Sequence, residues 1–161
     1  MTERPSIIGM LAPILATYPP EEQRIFAALG ERIAASRYRA WAEQGKDDAT
    51  RDALLACAAR EEDIASRVES LHPRGTEVRE RLLLNHAGLP EQYVAMFEGF
   101  PLTEQFAMQA EAERAGAAAW RAFAGATEDA AESQALLACA PLEEQNAATL
   151  DELIAALNAS P

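Results

Sequence analysis

Ala53-Leu54-Leu55-Ala56-Cys57-Ala58-Ala59-Arg60-Glu61-Glu62-Asp63-Ile64-Ala65 is the stretch that decides how this chain is read. Its first six residues, ALLACA, return unchanged at Ala135 to Ala140, and the two glutamates that follow return as Glu143 and Glu144. Cys57 and Cys139, like Glu61 and Glu143, stand 82 positions apart. The same offset, without a gap, pairs Pro19 with Pro101, Glu22-Gln23 with Glu104-Gln105, Glu31-Arg32 with Glu113-Arg114, Tyr38 with Trp120, Trp41 with Phe123, Asp47 with Asp129 and Leu71 with Leu153. The pattern reads as one helical hairpin written twice.

On a helical wheel, Leu54, Cys57, Ile64, Ala65, Val68 and Leu71 form one apolar stripe, and Glu61 falls in the middle of it. A carboxylate is therefore aimed at the core. The copy repeats this with Leu136, Cys139, Ala147, Leu150 and Leu153 around Glu143, and places a second polar residue, Asn146, beside it. A buried carboxylate must be paired, protonated or metal-bound, because an isolated buried charge costs several kcal/mol. Two at one register point to a shared site. Glu62 and Glu144 lie on the flank of the stripe, where a helix glutamate meets solvent and needs no further role.

The 161 residues amount to one domain, spanning 1–161, with enough apolar sequence (49% hydrophobic against 25% charged) to bury a core without disulfides or metal. A net charge of −12 excludes a nucleic-acid partner and an anionic membrane surface, since no basic stripe is present to displace counterions. Divalent cations suit such a chain better. The two cysteines read as buried, reduced, small hydrophobes near the axis that relates the two hairpins. The segment Ser6 to Ala16 is apolar but too short to span a membrane, and residues 1–5 carry no net positive charge, so the start is read as a retained segment of a cytoplasmic protein.

Along the chain, residues 6–17 predict a turn or two of helix, interrupted by Gly9 and Pro13 and lying over the rest. Tyr18-Pro19-Pro20-Glu21-Glu22 predicts the start of a helix over about 20–44, with prolines at the first positions and acids in the first turn. Asp47 or Asp48 is the expected cap of a second helix, ended by His72-Pro73-Arg74-Gly75. The hairpin copies thus span about 19–72 and 101–156. The crossover 73–100 carries two short helices, near 77–86 and 90–97. A third long helix is expected from Pro101 to about Gly125, with Thr103 as its cap. A fourth runs from about Thr127 to Leu157, and Pro141 bends or delays it. The expected fold is all-α: an up-down four-helix bundle of two repeated hairpins joined by a crossover with short helices.

These residues resemble the ferritin-like superfamily, and its rubrerythrin branch most closely. In that family the first helix carries a glutamate followed by small and aromatic residues, matched here by Gly30-Glu31, Ala35, Tyr38 and Trp41-Ala42. The second helix carries Ala-x-x-Glu-x-x-His-Ala, matched by Ala58, Glu61, Ile64 and Ala65. The other hairpin supplies Glu113, Trp120, Phe123 and Ala124, then Ala140, Glu143, Asn146 and Ala147. The resemblance implies a carboxylate-bridged pair of iron or manganese ions in the bundle core, held by Glu31, Glu61, Glu113 and Glu143. Both family histidines are missing, replaced by Ile64 and Asn146, while His72 and His86 stand off the ligand positions.

Two functional readings follow. In the first, the di-metal site is degenerate, Glu61 and Glu143 persist as hydrogen-bonded polar groups (with each other, or with Tyr38, Trp120, Asn146 or Arg37), and the domain is a non-catalytic binding or assembly protein. In the second, Glu31, Glu61, Glu113 and Glu143, with the Asn146 carbonyl, hold one or two divalent ions on oxygen ligands alone, a donor set that favours manganese, magnesium or calcium over zinc or copper. Were iron the ion, the resemblance implies rubrerythrin-like oxidase or peroxidase activity. Tyr38, Trp41, Trp120 and Phe123 are expected as packing between paired helices rather than as a ligand-stacking set. No phosphate loop or nucleophile elbow is present. Dimerisation is common in folds of this kind, so a homodimer is an expected arrangement, with the apolar N-terminal segment as one surface for it.

Overall fold

The structure, a computed structural model, describes residues 4–45 and 47–159. The expected start at residues 1–3 lies outside the described residues. Among the described residues the protein is all-helical: α1 (Ile7–Leu15), α2 (Pro20–Gln44), α3 (Asp48–Ser70), α4 (Gly75–Asn85), α5 (Leu89–Ala95), α6 (Leu102–Ala126), α7 (Ala130–Leu137) and α8 (Ala140–Ala159). The all-α expectation is borne out. Helix α2 packs along α3, α6 packs along α7 and α8, and α3 meets α8. Tyr38 and Trp41 on α2 hydrogen-bond Glu113 and Gln105 on α6, so the two pairs pack against each other, with residues of both in each of two hydrophobic clusters. Among the described residues, no helix is long and apolar enough to cross a membrane.

Positions 82 apart do the same local work at both helix starts. Pro19 and Pro101 each precede a 25-residue helix in the same extended conformation (φ −64°, ψ 154° and φ −62°, ψ 155°). Proline suits that place because its missing N–H would have been unsatisfied there anyway. The side-chain amides of Gln23 and Gln105 each donate to a carbonyl five residues back, Tyr18 O and Phe100 O, both at 2.8 Å. Asp47 caps α3 by accepting from Thr50 N, and Asp129 caps α7 by accepting from Ala131 N and Glu132 N. Thr103, expected as a cap, does not serve as one, because the chain turns helical directly after Pro101 with no side-chain cap.

The two ALLACA copies, identical in sequence, differ in structure. Ala53–Ala58 lies in unbroken helix, whereas Ala135–Ala140 straddles a break after Leu137. The expected single fourth helix is thus two. The cause lies at Pro141, which stands where the first copy has Ala59: proline has no N–H for the carbonyl four residues earlier, at Leu137, and its ring crowds that carbonyl. The chain answers with tight bonds from Cys139 N to Leu136 O (3.1 Å) and Leu142 N to Cys139 O (3.0 Å), then resumes as α8. Glu143 falls in its first turn.

Helix α1 is more regular than expected. Ser6 caps it through Gly9 N, Pro13 is accommodated inside its last turn, and it lies across α2 and α6. At the corner after α3, Gly75 is required, because a Cβ there would collide with the Glu69 carbonyl. Glu69, buried on α3, accepts from Arg32 (2.8 Å) and Arg79 (2.9 Å), tying α2, α3 and α4 together. Sequence reading passed over this network, since nothing in local spacing separates Glu69 from the surface acids around it.

Candidate metal centre

Four carboxylates, one from each of α2, α3, α6 and α8, converge in the interior: Glu31, Glu61, Glu113 and Glu143. Ligand oxygens of Glu31, Glu61 and Glu143 lie within 4.8 Å of one another. Glu31 is within hydrogen-bonding reach of both Glu61 and Glu143, and Glu143 of Glu113. Glu61, Glu113 and Glu143 are 0%, 2% and 1% exposed, whereas Glu31 is half-buried and forms the outer member. Helical periodicity delivers this arrangement: each glutamate occupies an inward position one turn from apolar or small residues that bury fully, such as Ala35, Cys57, Ile64, Ala117 and Ala140.

Each buried carboxylate is steered by a donor on a neighbouring turn or helix. Trp120 Nε1 donates to Glu143 Oε1 at 2.6 Å. Tyr38 Oη and Gln109 Nε2 both donate to Glu113 Oε1 at 2.7 Å. Tyr93, on the crossover helix α5, donates to the Gln109 carbonyl and thereby fixes which end of that amide faces Glu113. Burial raises the pKa of both phenols, which therefore act as donors. Asn146 donates its amide to Glu61, while its carbonyl accepts from Arg60 Nε at 2.6 Å. Gly116 completes the cradle, since a Cβ there would sit 2.6 Å from Glu143 Oε1.

After these bonds, Oε2 of Glu61 and Oε2 of Glu113 remain buried with no N–H or hydroxyl donor, and only a cation or a proton shared with a neighbouring carboxylate can meet them. Orphaned buried oxygens are uncommon in native structures. Burial is the main influence on the acidity here, and it pushes Glu31 up to about 7, with the Glu113 charge adding to it and hydrogen bonds to Glu61 and Glu143 opposing it. Glu61 and Glu143 are raised well above the ordinary range, first by burial and then by the neighbouring carboxylates. Four carboxylates cannot all ionise here without a compensating cation.

The structure brings together all four glutamates singled out from sequence. Asn146 is adjacent, but in a different capacity: its carbonyl is taken by Arg60, so it faces the cluster as a donor. Ile64, fully buried, packs with Ala28, Val68 and Trp120. The histidines stand elsewhere, His86 bonded to Tyr18 Oη (2.6 Å) and His72 to Arg74 N (3.0 Å). Arg37 pairs with Gln105 and stacks over Trp41 and Phe97, away from the glutamates. Tyr38 and Trp120, expected only as packing, also orient carboxylates. Cys57 and Cys139 are buried free thiols as expected, each within its own hydrophobic cluster.

Sequence reasoning missed Gln109, Tyr93, Arg60 and Gly116. Gln109 stands one turn before Glu113 on its face, which was legible, but the others depend on which helices meet. Compared with family models, curated proteins and solved structures, the chain matches none.

Proposed function

We propose that this protein is a divergent ferritin-like bundle, built from a duplicated helical hairpin, that binds a divalent cation on carboxylates alone. The observation that carries the reading is the pair of partnerless buried oxygens, Glu61 Oε2 and Glu113 Oε2, beside the Glu31, Glu61 and Glu143 oxygens. Hard oxygen donors suit manganous, ferrous, magnesium or calcium ions. Glu31, Glu61 and Glu143 would hold the ion, and Glu113 would add a ligand or a second position. The indole, phenol and amide donors fix Glu61, Glu113 and Glu143 through one oxygen each, as outer hydrogen bonds do for metal ligands. A bound ion would supply charge neutralisation and Lewis acidity. Two reduced thiols fit the cytoplasmic setting expected from the sequence.

A second reading keeps the site metal-free, as a vestige in a non-catalytic binding or assembly protein. It is favoured by the carboxyl-to-carboxyl contacts, in which protons take the place of an ion, and by the hydrocarbon of Ile64 at the position of a family histidine. Metal content and thermal shift separate the two. Protein purified without chelator should carry manganese or iron at a fixed stoichiometry. Adding manganous ion to stripped protein should raise the melting temperature, by about 2.7 kcal/mol of stabilisation at a hundredfold excess over Kd. The Glu61→Gln, Glu143→Gln double variant should fold and lose that response. Absence of both metal and shift in the parent would overturn the metal reading in favour of the protonated cluster.

A further inference from the structure

Beneath α1 lies a cavity of about 200 Å³, with Leu11 and Leu15 of α1 as its roof and Phe26 and Phe123 on its sides. Its floor is the carboxylate cluster: Glu31, Glu113 and Glu143 all line it. The space exists because small residues face one another across α2 and α6, among them Gly30, Ala34, Ala112 and Ala119. Small residues normally let helices close together, yet here the gap stays open and α1, whose first residue stands 82 positions before that of the crossover helix α5, covers it. An apolar cavity of ~150 Å³ stays dry and takes up benzene-sized guests, so this one has room for a ring or a chain of roughly six to eight carbons. Glu31, the outer and least buried of the four carboxylates, lines this space, whereas the partnerless oxygen of Glu113 is closed to a water-sized group and does not open onto it.

We infer that this cavity is a binding site for a small, uncharged aliphatic molecule with one hydroxyl-type end, its hydrocarbon under α1 and its hydroxyl donating to the carboxylates at the floor. Apolar walls take the chain, and the donor end meets the Glu31 carboxylate at the floor. A carboxylate-headed ligand is rejected, because no basic residue lines the cavity and its head would meet like charge. An ammonium head would have to shed its water between apolar walls. The site stands on the cavity, and because Glu31 would also hold the ion of the proposed metal site, hydroxyl binding is tested without metal.

The test uses the full chain in excess chelator, so that the outcome does not hinge on metal binding. 1-Hexanol and hexanoate are titrated separately, with Trp120 fluorescence and ligand-observed NMR as readouts, because Trp120 lines the cavity. Hexanol should bind saturably and hexanoate at least tenfold more weakly. Ala119→Leu and Ala112→Leu, each of which fills the cavity, should abolish hexanol binding while circular dichroism and melting show a folded protein, and Ala118→Leu on the exposed face of the same helix should leave it unchanged. If one filled variant fails to fold, the other carries the comparison. Absence of saturable hexanol binding, equal binding of hexanoate, or undiminished binding in a folded, filled variant would overturn the inference.

Discussion

Gly116→Ala tests the cradle around Glu143 with a single methyl group. The new Cβ would lie 2.6 Å from Glu143 Oε1 and 2.9 Å from its Cδ. The carboxylate is the far end of a flexible side chain, but it is not free to swing, because Oε1 is the acceptor for Trp120 Nε1 at 2.6 Å and Glu113 and Glu31 flank it. Clearing the methyl group moves Oε1 far enough to break that bond. Leaving a buried indole N–H unpaired costs about 1–3 kcal/mol. Against this, replacing a mid-helix glycine by alanine returns about 1 kcal/mol. The net is a loss of roughly 0–2 kcal/mol, about 1 at the middle of the range, which lowers the melting temperature by about 2–4 °C for a chain of this size.

Gly30→Ala provides the contrast. Its Cβ would meet only Leu11 Cδ1, at 3.7 Å, an ordinary contact. The helix-propensity gain then stands alone, and the melting temperature should rise by roughly 2–4 °C. Both variants are compared with the parent by calorimetry in chelator, and Trp120 emission reports the broken bond in Gly116→Ala. A Gly116→Ala protein that melts as high as the parent or higher, with unchanged emission, would refute the claim that Glu143 is pinned where the structure places it.

Two further outcomes follow from the buried groups. Glu31, Glu61 and Glu143 all have folded-state pKa values above their unfolded ones, so the folded state holds more protons and the stability of metal-free protein should fall as pH rises from about 4.5 through about 7 and beyond. Metal-loaded protein should show the opposite slope, because the ligands must deprotonate. Melting curves at pH 5 and pH 8 with and without manganous ion check both signs, and a metal-free protein more stable at pH 8 would contradict the reasoning. Cys57 and Cys139 should react slowly with thiol reagents in the native state, since both are fully buried and burial raises each thiol, Cys139 to about 11. Rapid labelling of both at neutral pH without unfolding would show the packing to be wrong.

What the sequence determined by itself was local and periodic. The offset of 82 residues and the helical wheel placed Glu61 and Glu143 at inward positions, the family resemblance added Glu31 and Glu113, and Pro19, Pro101 and Asp47 announced helix starts that the structure places at those points, because caps and periodicity act within one or two turns. What only the tertiary structure decided was which groups meet across helices. The break after Leu137 shows the limit well: six identical residues are continuous helix in one copy and interrupted in the other, on account of one proline beyond the match. Asn146 read as a carbonyl ligand, and only the approach of Arg60 from α3 turned its carbonyl away and its amide toward Glu61. The cavity under α1 was invisible, because alanine and glycine predict close helix approach, and whether a neighbouring segment fills the space between them is settled by packing rather than by spacing.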